Sequence, residues 1–394
     1  MRPLRDVGYP VPKGCGYPPP ASSLPPHRQP LPPADHSAFF AFPMQILRDM
    51  ADPMHSRTLP LADSRILITG GAGFIGSALL WELNERGIDR IVLADRLRQN
   101  EKWRNLVPLR FEDYVESDDL IPMLERNALG DFDVILHLGA CSSTTETDAT
   151  YLLRNNYEFS KALAGWSIDR GARFVYASSA ATYGLGEEGM SDADASFEAL
   201  SRLRPLNMYG YSKLLFDKWV ARRGLMDRVV GLRYFNIYGP NEAHKVDMRS
   251  VVAKAVPQVL ETGRIRLFRS YHPQYADGEQ LRDFLYVKDA TGMSLHLAEH
   301  PSAAGLYNIG SGIASSWLDV AEAIFTAMDR EPQIEFIDMP EYLRPKYQYF
   351  TQADIARLRE SGYAQEVTPL KAAVSDYVRN YLMPDRRLEP AAAE

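Results

Sequence analysis

The chain has few cysteines: its 394 residues include only Cys15 and Cys141. A disulfide framework is therefore excluded, and a reducing cytoplasm suits the protein. There is no excess of basic residues either, since 44 Lys and Arg face 51 Asp and Glu, for a net charge of −7. This balance gives no reason to expect nucleic acid or an anionic membrane surface as a partner.

Long apolar runs and metal-binding clusters are also missing. No stretch approaches the ~20 apolar residues that a membrane-spanning helix needs. No group of His, Cys and acidic residues has metal-ligand spacing, so no metal is expected. Proline is concentrated at one end, with 14 of its 27 copies within residues 1–60. Because strands and long helices do not tolerate that density, residues 1–63 are predicted to be a disordered Pro-rich tail. We favour a dispensable extension over a recognition segment.

The remaining length suits two domains. Order is predicted to begin at "RILITGGAGFIGSALLWELNERG", with a buried strand over 65–69 and a helix over 74–86. Between them lie Gly70, Gly73 and Gly76. Glycines at this position let the backbone approach a pyrophosphate, while the helix N-terminus supplies N–H donors. The strand–glycine–helix order favours a dinucleotide site over a plain turn.

A second predicted strand, 90–95, ends in Asp95, 19 residues after Gly76. A carboxylate at that point binds the adenosine ribose hydroxyls. Cations follow it closely: Arg96, Arg98, Lys102 and Arg104. Cations of this kind would bind a 2′-phosphate, which favours NADP. The alternative is NAD, with these charges in solvated loops.

Strands are further predicted over 133–140, 173–180 and 229–236, with a helix over 148–169 between the first two. Strands that alternate with helices are typical of an α/β fold with a doubly wound parallel sheet. Such sheets bind their ligands at the carboxyl ends of the strands.

The segment "PLNMYGYSK" contains Tyr209, Tyr211 and Lys213. If a helix begins near Tyr209, residues four apart share a face, so Lys213 lies beside Tyr209 and not beside Tyr211. The lysine charge is expected to lower the pKa of Tyr209, which would otherwise be a poor base at neutral pH. Ser179, at a strand end, is placed to hydrogen-bond the substrate oxygen.

This constellation resembles the extended short-chain dehydrogenase/reductase superfamily. The segments "GACSSTTETD", "YASSAATYG", "RYFNIYGPNEAHK" and "RDFLYVKD" narrow the resemblance to the ADP-L-glycero-D-manno-heptose 6-epimerase family, over about 65–383. The resemblance implies a Rossmann fold with a smaller α/β substrate domain. It also implies inversion of C6 of an ADP-linked heptose through a 6-keto intermediate, with tightly bound NADP. The product would serve the lipopolysaccharide inner core, and a homo-oligomer, for instance a pentamer, is expected.

By this resemblance, Tyr209 is one catalytic acid/base and Lys245 of "NEAHK" is the second, assisted by Lys213 and Ser179. The pKa of Lys245 is expected to be lowered by burial or by the Lys213 charge. The implied cofactor contacts are Gly70, Gly73, Phe74, Ile75, Gly76, Asp95, Arg96, Lys102, Leu138, Gly139, Ala140, Cys141, Ser142, Asn155, Lys213, Ile237 and Lys245. The implied substrate contacts are Ser179, Asn236, Asp247, Lys254, Phe268, Arg282 and Tyr347.

Arg282 would bind the diphosphate with both arms of its guanidinium or, alternatively, form a salt bridge with Asp283 or another acidic residue. The chain departs from the family at Ser117, Leu138, Asp247 and Lys254, and in a longer loop at 269–281. The cofactor domain is predicted to span 64–236, with pieces near 283–311 and 347–360, and the substrate domain to span 237–282, 312–346 and 361–385. The rival functions are another NDP-sugar epimerase or dehydratase, and a catalytically silent NADP-binding protein.

Overall fold

The computed structural model describes residues 60–391. The predicted tail over 1–63 lies outside this range except for its last four residues. Of these, Leu61–Asp63 form a single helical turn, and Leu61 is completely buried. Packing therefore begins before residue 64, earlier than the sequence predicts.

The strands of the described chain are β1 (Ile66–Thr69), β2 (Ile91–Asp95), β3 (Asp113–Glu116), β4 (Val134–His137), β5 (Arg173–Ser179), β6 (Val229–Tyr234), β7 (Asn236–Tyr238), β8 (Ile265–Phe268), β9 (Leu281–Tyr286), β10 (Gly305–Ile309), β11 (Ala314–Ser316) and β12 (Ile334–Ile337). The helices are α1 (Phe74–Glu85), α2 (Ser117–Glu125), α3 (Ala149–Leu152), α4 (Phe159–Asp169), α5 (Phe197–Arg202), α6 (Met208–Arg222), α7 (Val251–Thr262), α8 (Val287–Glu299), α9 (Trp317–Ala327), α10 (Ala356–Glu360) and α11 (Leu370–Tyr377).

The main sheet contains seven strands in the order β10-β6-β5-β4-β1-β2-β3, and all its neighbouring strands are parallel. Helices cover both of its faces, so every residue of β1 is buried. Along β1, Ile66 and Ile68 join one apolar cluster while Leu67 joins the other. The predicted doubly wound parallel sheet is thus confirmed.

Two smaller sheets accompany the main one. Strand β9 pairs with β7 in parallel and with β11 antiparallel, and β8 pairs with β12. A third apolar cluster, centred on α7, α9 and α11, packs against these strands and also includes Phe74 of α1. The predicted division of the segments into a cofactor domain and a substrate domain stays a prediction. No helix in residues 60–391 is long and apolar enough to cross a membrane.

Two predicted strands end earlier than expected. Strand β4 stops at His137, and residues 138–140 leave the sheet. The strand predicted over 229–236 is divided at Phe235: β6 belongs to the main sheet, while β7 pairs with β9 in another sheet. The helix predicted over 148–169 contains a wider π-helical turn at Leu153–Glu158. Turns of that kind are frequent at functional sites.

Candidate active site

The glycine loop, residues 70–76, connects β1 to α1. A side chain at Gly70, whose φ is +71°, would place its Cβ 2.7 Å from the Gly139 nitrogen. At Gly76 a Cβ would lie 2.1 Å from the Gly70 carbonyl oxygen. Only glycine fits at either position, so the backbone and the first turn of α1 stay open to a ligand. This loop therefore fits a dinucleotide.

Two adjoining hollows that share Gly70, Asp95, Lys102 and Gly139 form one groove along the carboxyl ends of the strands. Every residue predicted to contact the cofactor lines this groove, and so do the predicted catalytic residues Tyr209, Lys213, Lys245 and Ser179. The ends of β1, β2, β4 and β5 thus supply a continuous ligand site, as expected for an open α/β sheet.

The carboxylate of Asp95 is engaged by the protein. One of its oxygens accepts from the Ala72 N–H of the glycine loop at 2.9 Å, and the other accepts from the Arg96 N–H and the Lys102 ammonium. Arg96 pairs with Asp118 and also donates to the Asn155 side chain. Arg98 lines the same hollow as Arg96 and Lys102, so three cations surround the position next to Asp95.

Helix α6 places the predicted tyrosine–lysine pair. The Asn207 side chain accepts from the Gly210 N–H at 2.8 Å and so starts the helix at Met208, within one residue of the predicted start. Tyr209 and Lys213 both line the groove, whereas Tyr211 does not line it and is 42% exposed. The predicted helix register is therefore confirmed.

The expected effect of Lys213 on Tyr209 is not found. Burial raises the pKa of the Tyr209 phenol, and a hydrogen bond with Ser179 opposes this only in part. Burial also lowers the pKa of Lys213 to about 8, against the opposing charge of Asp217. The Lys213 ammonium donates to the Ala177 carbonyl at 2.9 Å. The prediction of a lowered Tyr209 pKa was wrong, because desolvation of the phenol is the largest contribution and raises the pKa.

Lys245 lies on the segment 239–250, hereafter the Lys245 loop. Its ammonium lies 5.2 Å from the centre of the Phe74 ring at the start of α1. Burial lowers the pKa of Lys245, and the Lys254 charge lowers it further. The predicted lowering of the Lys245 pKa is confirmed, but the lysine charge that contributes to it is that of Lys254 and not that of Lys213. The next residue, Val246, has a φ of 49° and a ψ of −110°.

The predicted substrate residues other than Ser179 lie outside the groove lining. Arg282 is 5% exposed, and its guanidinium carbon lies 5.1 Å from the Tyr347 ring centre and 5.8 Å from that of Trp317. Arg282 donates to the main-chain carbonyls of Leu281 and Gln348. The alternative pairing of Arg282 with Asp283 is not found: the carboxylate of Asp283 accepts instead from Ser311 and from the N–H groups of Gly312 and Ala353.

The other predicted substrate residues are scattered. Asn236 accepts from the Thr351 hydroxyl at 3.3 Å. Asp247 is exposed beside Lys245, Lys254 is half-buried on α7, and Phe268 ends β8. The structure thus brings Arg282 and Tyr347 into contact, and the Thr351 hydroxyl links Asn236 to the N–H of Asp283, the residue after Arg282.

Sequence reasoning missed several residues that line the groove: Asn100, Tyr151, Phe159, Ala177, Ser178, Tyr234 and Phe235. A signal existed for Ala177 and Ser178, which come directly before the predicted Ser179 on β5. No local pattern marks Tyr151 and Phe159, because they reach the groove through the helical segment that contains the π-helical turn.

A parallel α/β sheet with a glycine loop and a tyrosine–lysine pair in one groove defines a nucleotide-dependent enzyme of the dehydrogenase type. Residues 66–310 match the profile of the NAD dependent epimerase/dehydratase family. A crystal structure of Helicobacter pylori ADP-L-glycero-D-manno-heptose-6-epimerase has a TM-score of 0.68 and 27% identity, and the match covers 82% of this chain and 98% of that one.

A relative from Nitratidesulfovibrio vulgaris (strain DP4), named ADP-L-glycero-D-manno-heptose-6-epimerase, is 53% identical over 317 residues, which cover 80% of this chain and 97% of the relative. A Fusobacterium nucleatum protein of the same name is 44% identical over 326 residues, covering 80% and 98%. The chain belongs to the NAD dependent epimerase/dehydratase family and, within it, to the ADP-L-glycero-D-manno-heptose-6-epimerases. A nicotinamide nucleotide is its cofactor.

Proposed function

We propose that the chain converts ADP-D-glycero-β-D-manno-heptose into ADP-L-glycero-β-D-manno-heptose by inverting C6. The observation that carries this proposal is the presence of two candidate bases in one groove. Tyr209 lies on α6 and Lys245 lies on a separate loop, and both line the groove that begins at the glycine loop. The product would supply heptose for the lipopolysaccharide inner core.

Inversion of C6 requires a change of oxidation state, because the C–H of a secondary alcohol is not acidic. The glycine loop and Lys213 would hold NADP, whose chemistry at C6 would be to take up a hydride and to give it back. When the C6 hydroxyl loses its proton to one base as hydride leaves, a planar 6-ketone results. Because C6 lies outside the sugar ring, rotation about one single bond presents the other face of the ketone, where the second base returns a proton to the oxygen.

The side chains have distinct roles in this scheme. Tyr209 holds or releases the hydroxyl proton on one face, and Ser179, which lines the same part of the groove, orients the substrate oxygen. Lys245 serves the other face, and its lowered pKa brings the neutral amine closer to neutral pH. The Lys213 ammonium donates to the Ala177 carbonyl and lines the groove together with Tyr209, where it would bind the nicotinamide ribose.

NADP is the proposed form of the cofactor. The Asp95 carboxylate already accepts three hydrogen bonds from the protein, so it is poorly placed to accept from a ribose 2′-hydroxyl. Arg96, Arg98 and Lys102 line the hollow around it and supply the charge that a 2′-phosphate needs.

Replacement of Arg96 tests the choice of NADP. Arg96→Ala should weaken NADP binding by about 1.5–3 kcal/mol, the scale of a charged hydrogen bond, and leave NAD binding nearly unchanged. Arg104→Ala is the control, because Arg104 pairs with Glu101 on the surface and does not line the groove. Titration of both variants with both nucleotides gives the answer, and equal weakening of NADP and NAD would assign the site to NAD.

Arg282 would hold the diphosphate of the sugar nucleotide. Its guanidinium is buried between two aromatic rings, and burial lowers its pKa. Arg282 donates to main-chain carbonyls, and a diphosphate would offer it stronger, charged hydrogen bonds. Tyr347 and Trp317, joined by a 2.9 Å hydrogen bond, would keep the guanidinium plane in place.

The decisive experiment is incubation with ADP-D-glycero-β-D-manno-heptose and resolution of the C6 epimers. An approach to an equilibrium mixture of the two epimers, from either one, is the expected result. Turnover of UDP- or dTDP-hexoses instead would assign the chain to another NDP-sugar epimerase or dehydratase. Nucleotide binding without turnover of any sugar nucleotide would leave a catalytically silent protein.

A further inference from the structure

Asn105 connects the two loops that bound the groove. It ends the helical turn Glu101–Asn105 and is 2% exposed. Its side-chain nitrogen lies 3.1 Å from the Ala72 carbonyl oxygen in the glycine loop and 3.0 Å from the Asn241 carbonyl oxygen in the Lys245 loop. Both partners are acceptors, so the group facing them must be the NH₂ and not the carbonyl of the amide.

The same nitrogen lies 3.3 Å from Nδ1 of His244, which precedes Lys245. Burial and the charges of Lys102 and Lys245 lower the pKa of His244 to about 4. The imidazole is therefore neutral at pH 7. The two amide hydrogens are already directed at the Ala72 and Asn241 carbonyls, so the His244 ring contacts the amide without a hydrogen of its own. Asn105 thus reaches the Lys245 loop through one hydrogen bond to its main chain and one contact with a side chain that lines the groove.

The rest of the Lys245 loop is held from the opposite side. The Glu242 carboxylate accepts from the Ser250 hydroxyl at 2.6 Å and from the Tyr377 hydroxyl at 3.1 Å. The Tyr377 bond attaches the loop to α11, and the Ser250 bond closes the loop on itself directly before α7; neither helix carries a groove-lining residue. Toward the cofactor side the loop is attached by Asn105, by the bond from the Asn241 side chain to the Ser77 hydroxyl in α1, and by the contact of the Lys245 ammonium with the Phe74 ring.

We propose that Asn105 is a positioning residue for Lys245: by joining the Ala72 and Asn241 carbonyls, it sets the distance between the second base and the cofactor site. This inference rests on the proposed two-base epimerase function. Without the amide, two buried main-chain carbonyls lose a donor, and the Lys245 loop can move away from the groove. Tyr209 and Lys213 lie on α6 and keep their positions.

The experiment compares Asn105→Ala with Asn84→Ala in the purified full-length enzyme. Asn84 is also 2% exposed and also joins two main-chain carbonyls, those of Ile88 and Arg110, but it lies at the far end of α1. Both variants remove two bonds to main-chain carbonyls, and Asn84→Ala also removes the bond that the Asn84 side chain accepts from the Arg110 N–H. Asn84→Ala should therefore lower the Tm at least as much as Asn105→Ala. Each variant is assayed for epimerisation, for NADP binding and for disproportionation of a C6-aldehyde analogue, a reaction that needs only one competent base.

Asn105→Ala should lower kcat for epimerisation by about 10–100-fold, up to the lower limit for loss of a general acid/base, because Lys245 is displaced and not removed, while KM and NADP affinity stay within threefold. Disproportionation of the aldehyde should also stay within threefold, because Tyr209 serves it. In a Lys245→Met background, Asn105→Ala should change the residual epimerisation by no more than twofold, since its effect passes through Lys245. Asn84→Ala should show none of this selectivity.

Three results would overturn the positioning role: equal loss of epimerisation and disproportionation, a loss of NADP affinity that accounts for the change, or an undiminished effect of Asn105→Ala without Lys245. If Asn105→Ala does not fold, Asn105→Ser, which keeps one donor, is judged by the same criteria. A wild-type enzyme that does not epimerise the substrate would instead remove the proposed function, together with the inference that depends on it.

Discussion

The glycine loop and the Lys245 loop bound the same groove but are built differently. In the glycine loop, positions without room for a side chain carry glycine, as Gly70 and Gly76 do. In the Lys245 loop, the residues at positive φ are Asn241, at 75°, Val246, at 49°, and Gly239, at 144°. Valine is rarely found at positive φ, so the backbone of this loop is strained at Val246 and must be held in place by other contacts.

The difference lies in what holds each loop. The course of the glycine loop is determined mainly by its own sequence: it leaves one strand and starts the next helix, and the Gly73 N–H donates to the Gly70 carbonyl. Two distant side chains, Asp95 and Asn105, bond in addition to the main chain of Ala72. The Lys245 loop is fixed by side chains distant in sequence, namely Asn105, Ser77 and Tyr377. A locally determined loop can be identified from a motif, whereas one held by distant side chains requires the fold.

The largest effect is expected from replacing either of the two proposed bases, Tyr209 on α6 and Lys245 on the Lys245 loop. Tyr209→Phe and Lys245→Met should each slow epimerisation by at least ~10²-fold, the lower range for loss of a general acid/base. Neither should release the nucleotide, because the glycine loop and Lys213 remain. Steady-state assays with a nucleotide-binding measurement on each variant test this.

Tyr211→Phe is the matched control, because Tyr211 is on the same helix but 42% exposed and outside the groove lining. It should stay near wild type. If Lys245→Met keeps full epimerase activity, Tyr209 must serve both faces of the ketone, and the Lys245 loop does not supply a second base.

The same contrast explains what the sequence could predict. The strand–glycine–helix motif and the four-residue spacing of Tyr209 and Lys213 are local, and both are placed in the groove as predicted. The sign of the Tyr209 pKa shift could not be predicted, because burial is a property of the folded groove. Asn105 carries no motif, since its two partners come from segments 33 and 136 positions away. The resemblance to a family supplied Lys245, which spacing alone would not.

A substitution in the glycine loop should have the next largest effect. Gly76→Ala would place its Cβ 2.1 Å from the Gly70 carbonyl oxygen, a backbone atom that cannot move without opening the turn. We expect a loss of roughly 1–3 kcal/mol in the free energy of unfolding, as for overpacked sites, together with weaker nucleotide binding. Urea unfolding and nucleotide titration measure both quantities.

Gly165→Ala is the control for the glycine substitution. Gly165 lies within α4, and a Cβ there would meet no atom within 4 Å. Alanine should stabilise the helix by about 0.5–1 kcal/mol relative to glycine. If Gly76→Ala is as harmless as Gly165→Ala, the close approach of α1 to the glycine loop is not needed.

Because Lys213 of α6 is buried, the free energy of unfolding of the protein should depend on pH. The pKa of Lys213 is about 8 in the folded protein and 10.5 when exposed. Between these values the unfolded chain binds the extra proton, so the free energy of unfolding should rise with pH by up to ~1.4 kcal/mol per pH unit. Urea unfolding of the protein without added nucleotide, from pH 7.5 to 9.5, should show this rise in wild type but not in Lys213→Met. Parallel curves for the two proteins would mean that Lys213 titrates normally.

The smallest expected effect comes from replacing Val246 of the Lys245 loop by glycine, the residue found at the crowded positions of the glycine loop. Val246 is 63% exposed, so removing its side chain costs little packing, and backbone strain of this kind amounts to roughly 1–3 kcal/mol. Glycine also makes the unfolded chain more flexible, which offsets about 0.5–1 kcal/mol of the gain from the relieved strain. Val246→Gly should therefore raise the free energy of unfolding by about 1 kcal/mol while epimerisation stays within twofold, because the loop anchors remain. Val107→Gly is the control, since Val107 is 70% exposed without a positive φ and should lose stability. A destabilised Val246→Gly would show that the valine side chain, and not only the distant anchors, holds the loop in place.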